Sequence, residues 1–247
     1  MSSPSTRPED SERKTIAFST TRWTRIQQAQ GKDSESRVAL AELCEQYYKP
    51  VEAFIRQRKD VSEAADLTQA FFAKFLQSNG VHRAERRLTR FRSYLLGAVK
   101  HFLADQRDYE RAEKRGGGVS PVPMEAPSET SPVLELADSS EDLLDKRFDR
   151  EWAVTVLRRS LNHLRVEAEG SGRGEQFEIL KHWLPGASGL SQTQALEKLQ
   201  MTEGALKVAI HRLRKRFREA VSGEIAQTVN SEEDLRDELR YLVDVLS

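Results

Sequence analysis

The sequence predicts an all-α protein: two small helical bundle domains joined by a flexible acidic linker. Three observations carry that expectation. Apolar residues recur at spacings of three and four along most of the chain, with no stretch of strict strand-like alternation. The segment GGGVSPVPMEAPSETSPVLELADSSED breaks the pattern with three glycines, four prolines and several serines, as an extended or flexible connection does. Apolar residues are 38% of the 247 and charged ones 32%, which suits small helical cores better than one large sheet-based core. The divisions that follow are a partly flexible N-terminal segment (1–35), a first bundle (36–115), the linker (116–140), a second bundle (141–221) and an acidic tail with an amphipathic helix (222–247).

In the first bundle, RVALAELCEQYY sets Val38, Leu40, Leu43, Cys44 and Tyr47 at helical spacing. Pro50 then starts or kinks a second segment carrying Val51, Phe54 and Ile55. In DVSEAADLTQAFFAKFLQSNG, Ser62 is the expected N-cap, and Leu67, Phe71 and Phe75 form the inward stripe. Asp66, Gln69 and Ala73 share a different face, and Asn79 and Gly80 end the helix. A long helix from about Leu88 to Glu113 buries Phe91, Leu95, Ala98 or Val99, and Phe102.

Beyond the linker, Leu144, Phe148, Trp152, Val156 or Leu157, Leu161 and Leu164 mark another helix. EGSGRG breaks it, EQFEILKHWL resumes, and Pro185 and Gly186 stop the chain again. Ser191 then caps a short helix holding Ala195, Leu196 and Leu199; the chain turns at Gln200-Met201, and Thr202 caps a longer helix. Leu206, Ile210, Leu213 and Phe217 face inward on that helix, while Lys207, Val208, His211, Arg212 and Lys215 face out. A short capped helix, a tight turn and a long basic helix form a helix-turn-helix, which lays its second helix in the DNA major groove. In the tail, Leu235, Leu239, Leu242 and Leu246 make one stripe.

Charge is segregated although 39 basic residues balance 39 acidic ones. The stretch 82–115 has ten bases against five acids, and 119–145 has seven acids and no base. Residues 222–247 return to seven acids against two bases. Between Gly204 and Arg218 there is no acid, but Lys207, Arg212, Arg214, Lys215, Arg216 and Arg218 all fall there, as a phosphate-facing helix requires.

At these residues the chain resembles a known family. LSQTQALEKLQMTEGALKVAIHRLRKRF is similar to the promoter-reading C-terminal domain of bacterial sigma factors of the extracytoplasmic-function (ECF) group. AADLTQAFFAKFL and FRSYLLGAVKHFLADQRD resemble the two helical blocks of their other domain, in the same order. The RGGG that follows and the EIAQTVN…ELRYLVDVLS tail are similar to a subgroup with a C-terminal extension.

The resemblance implies a cytoplasmic factor that binds core RNA polymerase and directs promoter-specific initiation. It assigns Asp66, Gln69 and Ala73 to the β′ clamp helices, and implies a contact with the β flap. Lys100, His101 and Asp105 would line the pocket for an unstacked base of the −10 element beside Phe102, with Arg92, Arg107 and Arg111 on phosphates. Thr202, Lys207, Val208, His211, Arg212 and Lys215 would face the −35 element. An anti-sigma factor or other regulator is a further candidate partner, and the linker's acidity fits a basic nucleic-acid channel. The chain departs from the family pattern at His101 (usually Asn), Tyr94 (usually Trp), Gln200 (usually Gly at the corner) and Ala209 (usually basic).

Two other classes remain. One is a helix-turn-helix regulator that does not engage core polymerase. The other is an enzyme, which the sequence argues against: it has no GxxxxGK[ST], GxSxG or HExxH, and no glycine-rich loop follows a strand. The five histidines and the lone Cys44 show no metal-ligand spacing, so neither metal nor cofactor is expected. There is no apolar leader near the N-terminus and no run long enough for a membrane span.

Overall fold

The computed structural model describes residues 29, 31, 34–78, 80–85, 90–114, 139–185 and 190–247. Every regular element among them is helical, so the chain is all-α. In order these are α1 (Ser34–Ile55), α2 (Val61–Gln77), α3 (Gly80–Glu85), α4 (Phe91–Lys114), α5 (Ser139–Gly170) and α6 (Gly174–Leu180), which runs into a 3-10 turn (Lys181–Trp183). Then follow α7 (Gln192–Leu199), α8 (Glu203–Ala226) and α9 (Glu232–Leu246). The span 116–138 of the expected linker lies outside the described residues, as do Asn79, Leu88 and Gly186. No described helix is long and apolar enough to cross a membrane.

Three local expectations shift. α1 runs on through Pro50, so no separate helix starts there. The missing N–H costs one helical bond, but Pro50 is buried with Val51, Phe54 and Ile55, and packing on both sides keeps the helix going. α2 starts earlier than Ser62: Asp60 is its N-cap and makes no side-chain cap bond. The α8 helix runs unbroken through the expected boundary between 221 and 222.

The first four helices gather around aromatic rings. Phe71 packs against Phe75 and Phe102, each with centroids 5.6 Å away, and Tyr47 meets Phe91 edge-on at 5.2 Å. Gly80 has to be glycine here, because a Cβ would come within 2.5 Å of the Phe75 ring and 2.7 Å of its carbonyl oxygen. The Tyr94 hydroxyl donates to the Gly80 carbonyl at 2.9 Å, fixing α3 against α4.

The 32-residue α5 is the central post. It packs along α1, and α6, α8 and α9 all rest against it. Phe54 of α1 and Phe148 of α5 meet edge-on at 6.3 Å, and both are fully buried. Burial of that kind contributes roughly 1.5–3 kcal/mol per side chain. The Trp152 and Val156 side chains extend the same stripe, as the sequence spacing anticipated.

Candidate nucleic-acid interface

The α7–α8 pair is built by its caps. Ser191 Oγ accepts from the Gln194 N–H at 3.3 Å, and Gln194 Oε1 accepts from the Ser191 N–H at 3.1 Å. This reciprocal capping box satisfies two donors that a helix start leaves over. The chain then reverses through Gln200, whose φ of 50° and ψ of 40° are left-handed. The backbone N–H groups of Gln200 and Met201 both return to the Leu196 carbonyl. Thr202 Oγ1 accepts from the Ala205 N–H at 3.3 Å and starts α8.

Along α8, Leu206, Leu213, Phe217, Val221 and Ile225 are buried, while Ile210 is partly so. Thr202, Lys207, Val208, His211, Arg212 and Lys215 are all exposed, as the sequence reading placed them. Val208, 50% exposed, puts an apolar patch among these cations. The Lys207 ammonium lies 2.6 Å from Glu203, whose carboxyl is held below its ordinary range by that hydrogen bond and charge. Lys215 is only loosely paired, 3.9 Å from Glu219. Arg214 donates to the Trp183 carbonyl and Arg216 pairs with Glu167, so both serve the fold. Arg212 and Arg218 have no acidic partner among the described residues.

On α2, Asp66, Gln69 and Ala73 are exposed on one face, opposite buried Ala64, Thr68, Phe71, Phe72 and Phe75. The neighbouring Lys74 reaches across to Asp105 on α4 at 2.9 Å, so Asp105 has a partner within the chain. His101, Arg107 and Arg111 are exposed; Arg107 donates to its own helix at the Leu103 carbonyl, and Arg111 lies 3.7 Å from Asp108. Lys100 is half-buried and bonded to Asp145 of α5 at 2.8 Å. Phe102, expected beside an unstacked base, is 5% exposed and packs into the Phe71 cluster instead.

Arg92 departs most from expectation. It was read as a phosphate contact, yet its side chain is buried and turned into the protein. Its Nε and Nη2 each donate to one oxygen of Glu238 at 3.1 Å, and Nη1 pairs with Asp149. Its guanidinium carbon lies 5.0 Å from the Trp152 ring and 4.6 Å from the Tyr241 ring. Burial alone lowers the affinity of this guanidinium for its proton, but the hydrogen bond to Glu238 and the fields of both carboxylates outweigh it and hold the charge firmly. Tyr241 completes the cluster by donating its hydroxyl to Asp149.

Sequence periodicity could have found this residue. Arg92 lies three and four positions before Leu95 and Leu96 and seven before Val99, so it belongs to the inward stripe of α4. Asp149 and Glu238 likewise lie on the buried stripes of α5 and α9. Among the described residues, no group of His, Cys, Asp and Glu gathers as a metal site. No family model, curated protein or solved structure matches this chain.

Proposed function

We propose that this chain is an ECF-type sigma factor, which binds core RNA polymerase and directs it to promoters. The observation that carries the reading is α8: a doubly capped helix pair presents a solvent-facing set of Lys207, Val208, His211, Arg212 and Lys215, with no acid between Gly204 and Arg218. In this reading α7 and α8 are a helix-turn-helix and α8 enters the major groove at the −35 element. Its cations meet phosphates, and Val208 offers an apolar contact of the kind a thymine methyl takes. The exposed Asp66, Gln69 and Ala73 stripe is the face for a basic helix of the large polymerase subunit. His101, Arg107 and Arg111 remain solvent-facing on α4 for the −10 strand.

The test is initiation by purified core polymerase on genomic promoter fragments, with and without the chain and its Asp66→Ala variant. Specific transcripts with the wild type that fade with the variant support the reading. A chain that binds duplex DNA but ignores core polymerase is instead a plain helix-turn-helix regulator.

A further inference from the structure

We propose that α9 is an autoinhibitory clasp, which holds Arg90 and Arg92 at the start of α4 against the protein's own carboxylates and away from nucleic acid. The inference rests on the proposed function, since it supposes that α4 meets a polynucleotide.

The carboxylates take the positions that phosphate oxygens would fill. A guanidinium binds a carboxylate and a phosphate with the same two-pronged geometry, and Glu238 engages Arg92 in that geometry, both contacts at 3.1 Å. Arg90, two residues earlier and 31% exposed, faces three more acidic contacts on the same helix: Asp237 at 3.0 Å, Glu238 at 3.3 Å and Asp234 at 3.8 Å. The acidic first turn of α9 (Glu232, Glu233, Asp234) lies at this end. The Thr228 carbonyl just before α9 accepts the Phe91 N–H at 3.4 Å, so the α8–α9 connection also covers the N-terminus of α4.

The seat of α9 is of a kind that can let go. Its buried residues are Leu235, Glu238 and Leu242, with Leu239, Tyr241, Val245 and Leu246 partly buried beside them, so a carboxylate sits in the middle of its docking stripe. A buried ion pair has a large desolvation cost to set against its attraction, and its members are readily rehydrated on separation. The Phe54–Phe148 contact between α1 and α5 is fully apolar and stays closed when α9 leaves. Release frees Arg90 from all three α9 acids and Arg92 from Glu238, leaving Arg92 on Asp149 alone. The α8 face is exposed throughout, so the closed chain reads duplex DNA through α8 while its α4 start stays covered.

The experiment uses the full chain and its Glu238→Gln and Arg90→Gln/Glu238→Gln variants. Hydrogen exchange of the peptide covering 231–247 is measured beside a peptide from the middle of α5. Binding of a fluorescein-labelled single-stranded oligonucleotide, and separately of a non-specific duplex, is titrated over a range of salt. Removing one partner from a buried pair should speed exchange in 231–247 about a hundredfold while α5 exchange holds. The single-strand salt slope should steepen by about 0.7 for Arg90, the arginine that release frees of every acid, and that increment should be missing in the double variant.

Exchange that rises equally in 231–247 and α5 makes α9 a purely structural helix and overturns the clasp. Release of α9 with an unchanged salt slope overturns it too, because the arginines then mask nothing that binds nucleic acid. Duplex binding through α8 in those two cases leaves the proposed function standing. A chain that binds neither probe in any variant overturns both.

Discussion

Arg92 and Glu238 lie 146 residues apart in sequence and meet as a two-pronged buried pair, with both N···O distances at 3.1 Å. With Asp149 and Tyr241 they tie α4, α5 and α9 together at one point. The pair is therefore tested first for its part in stability. Arg92→Met leaves the buried Asp149 without a cation and Glu238 on Arg90 alone, a change that costs about 3–5 kcal/mol. The loss should depend on pH. Without the guanidinium, burial disfavours the charged form of the Asp149 carboxylate in the folded state. Such a group favours the folded state at low pH and opposes it as pH rises. The gap between variant and wild type in urea unfolding should thus be smaller at pH 5 than at pH 8, and a gap that widens on acidification would rule this account out.

A second prediction concerns the corner between α7 and α8. Gln200 is the one described non-glycine residue with a positive φ, at 50°. A left-handed L-residue carries roughly 1–2 kcal/mol of strain, whereas glycine accepts the conformation and gives up about 0.5–1 kcal/mol in chain entropy. Gln200→Gly should therefore stabilise by about 0.5–1 kcal/mol, and Gln200→Ile should destabilise, because a β-branched side chain crowds that region further. Denaturation midpoints in urea decide both, and a lower midpoint for the glycine variant would contradict the strain argument.

These two sites show what was legible in sequence. The α7–α8 pair could be read because its signals are local: Ser191, the glutamine three residues on and Thr202 each act within one helical turn. The inward stripes of α2, α4 and α5 followed from spacing for the same reason. The burial of Arg92 was not legible because its partners are remote. Its spacing from Leu95 and Val99 said "inward", but a basic residue in a basic stretch suggests solvent until a buried carboxylate is known to await it. Nothing local reports that Asp149 and Glu238 converge there. Pro50 misled in the opposite sense, since a local helix breaker was overruled by burial of the residues around it.

The third prediction separates cations that bind from cations that brace. Arg212 is exposed and without an acidic partner among the described residues, whereas Arg216 pairs with Glu167 of α5. Arg212→Ala should lower the slope of log affinity for duplex DNA against log salt by about 0.9 and leave the unfolding midpoint unchanged. Arg216→Ala should do less to the slope and lower the unfolding free energy by a few tenths of a kcal/mol, since a partly exposed pair contributes about 0.2–1 kcal/mol. Equal slopes for the two variants would mean that α8 does not present the face described.

The last prediction uses Tyr241 as a reporter of the buried cluster. Its phenol is pushed up to about 12, first by burial, then by the hydrogen bond it donates to Asp149 and by the charge of that carboxylate, against a smaller opposing pull from Arg92. Burial likewise raises Tyr47 above the ordinary range of a phenol. A folded-state pKa above the unfolded value near 10 contributes stability that is fully present below pH 10 and is lost as pH rises through the folded value. The wild type should therefore lose stability steadily between pH 10 and pH 12. Tyr241→Phe lacks the hydroxyl and should be less stable by about 1.5–3 kcal/mol at pH 8, the contribution of a hydrogen bond to a charged group. It should also decline less steeply above pH 10, with the remaining slope coming from Tyr47 and the other phenols. Parallel declines for the two proteins would show that Tyr241 titrates alike folded and unfolded, and that its hydroxyl is not held by Asp149.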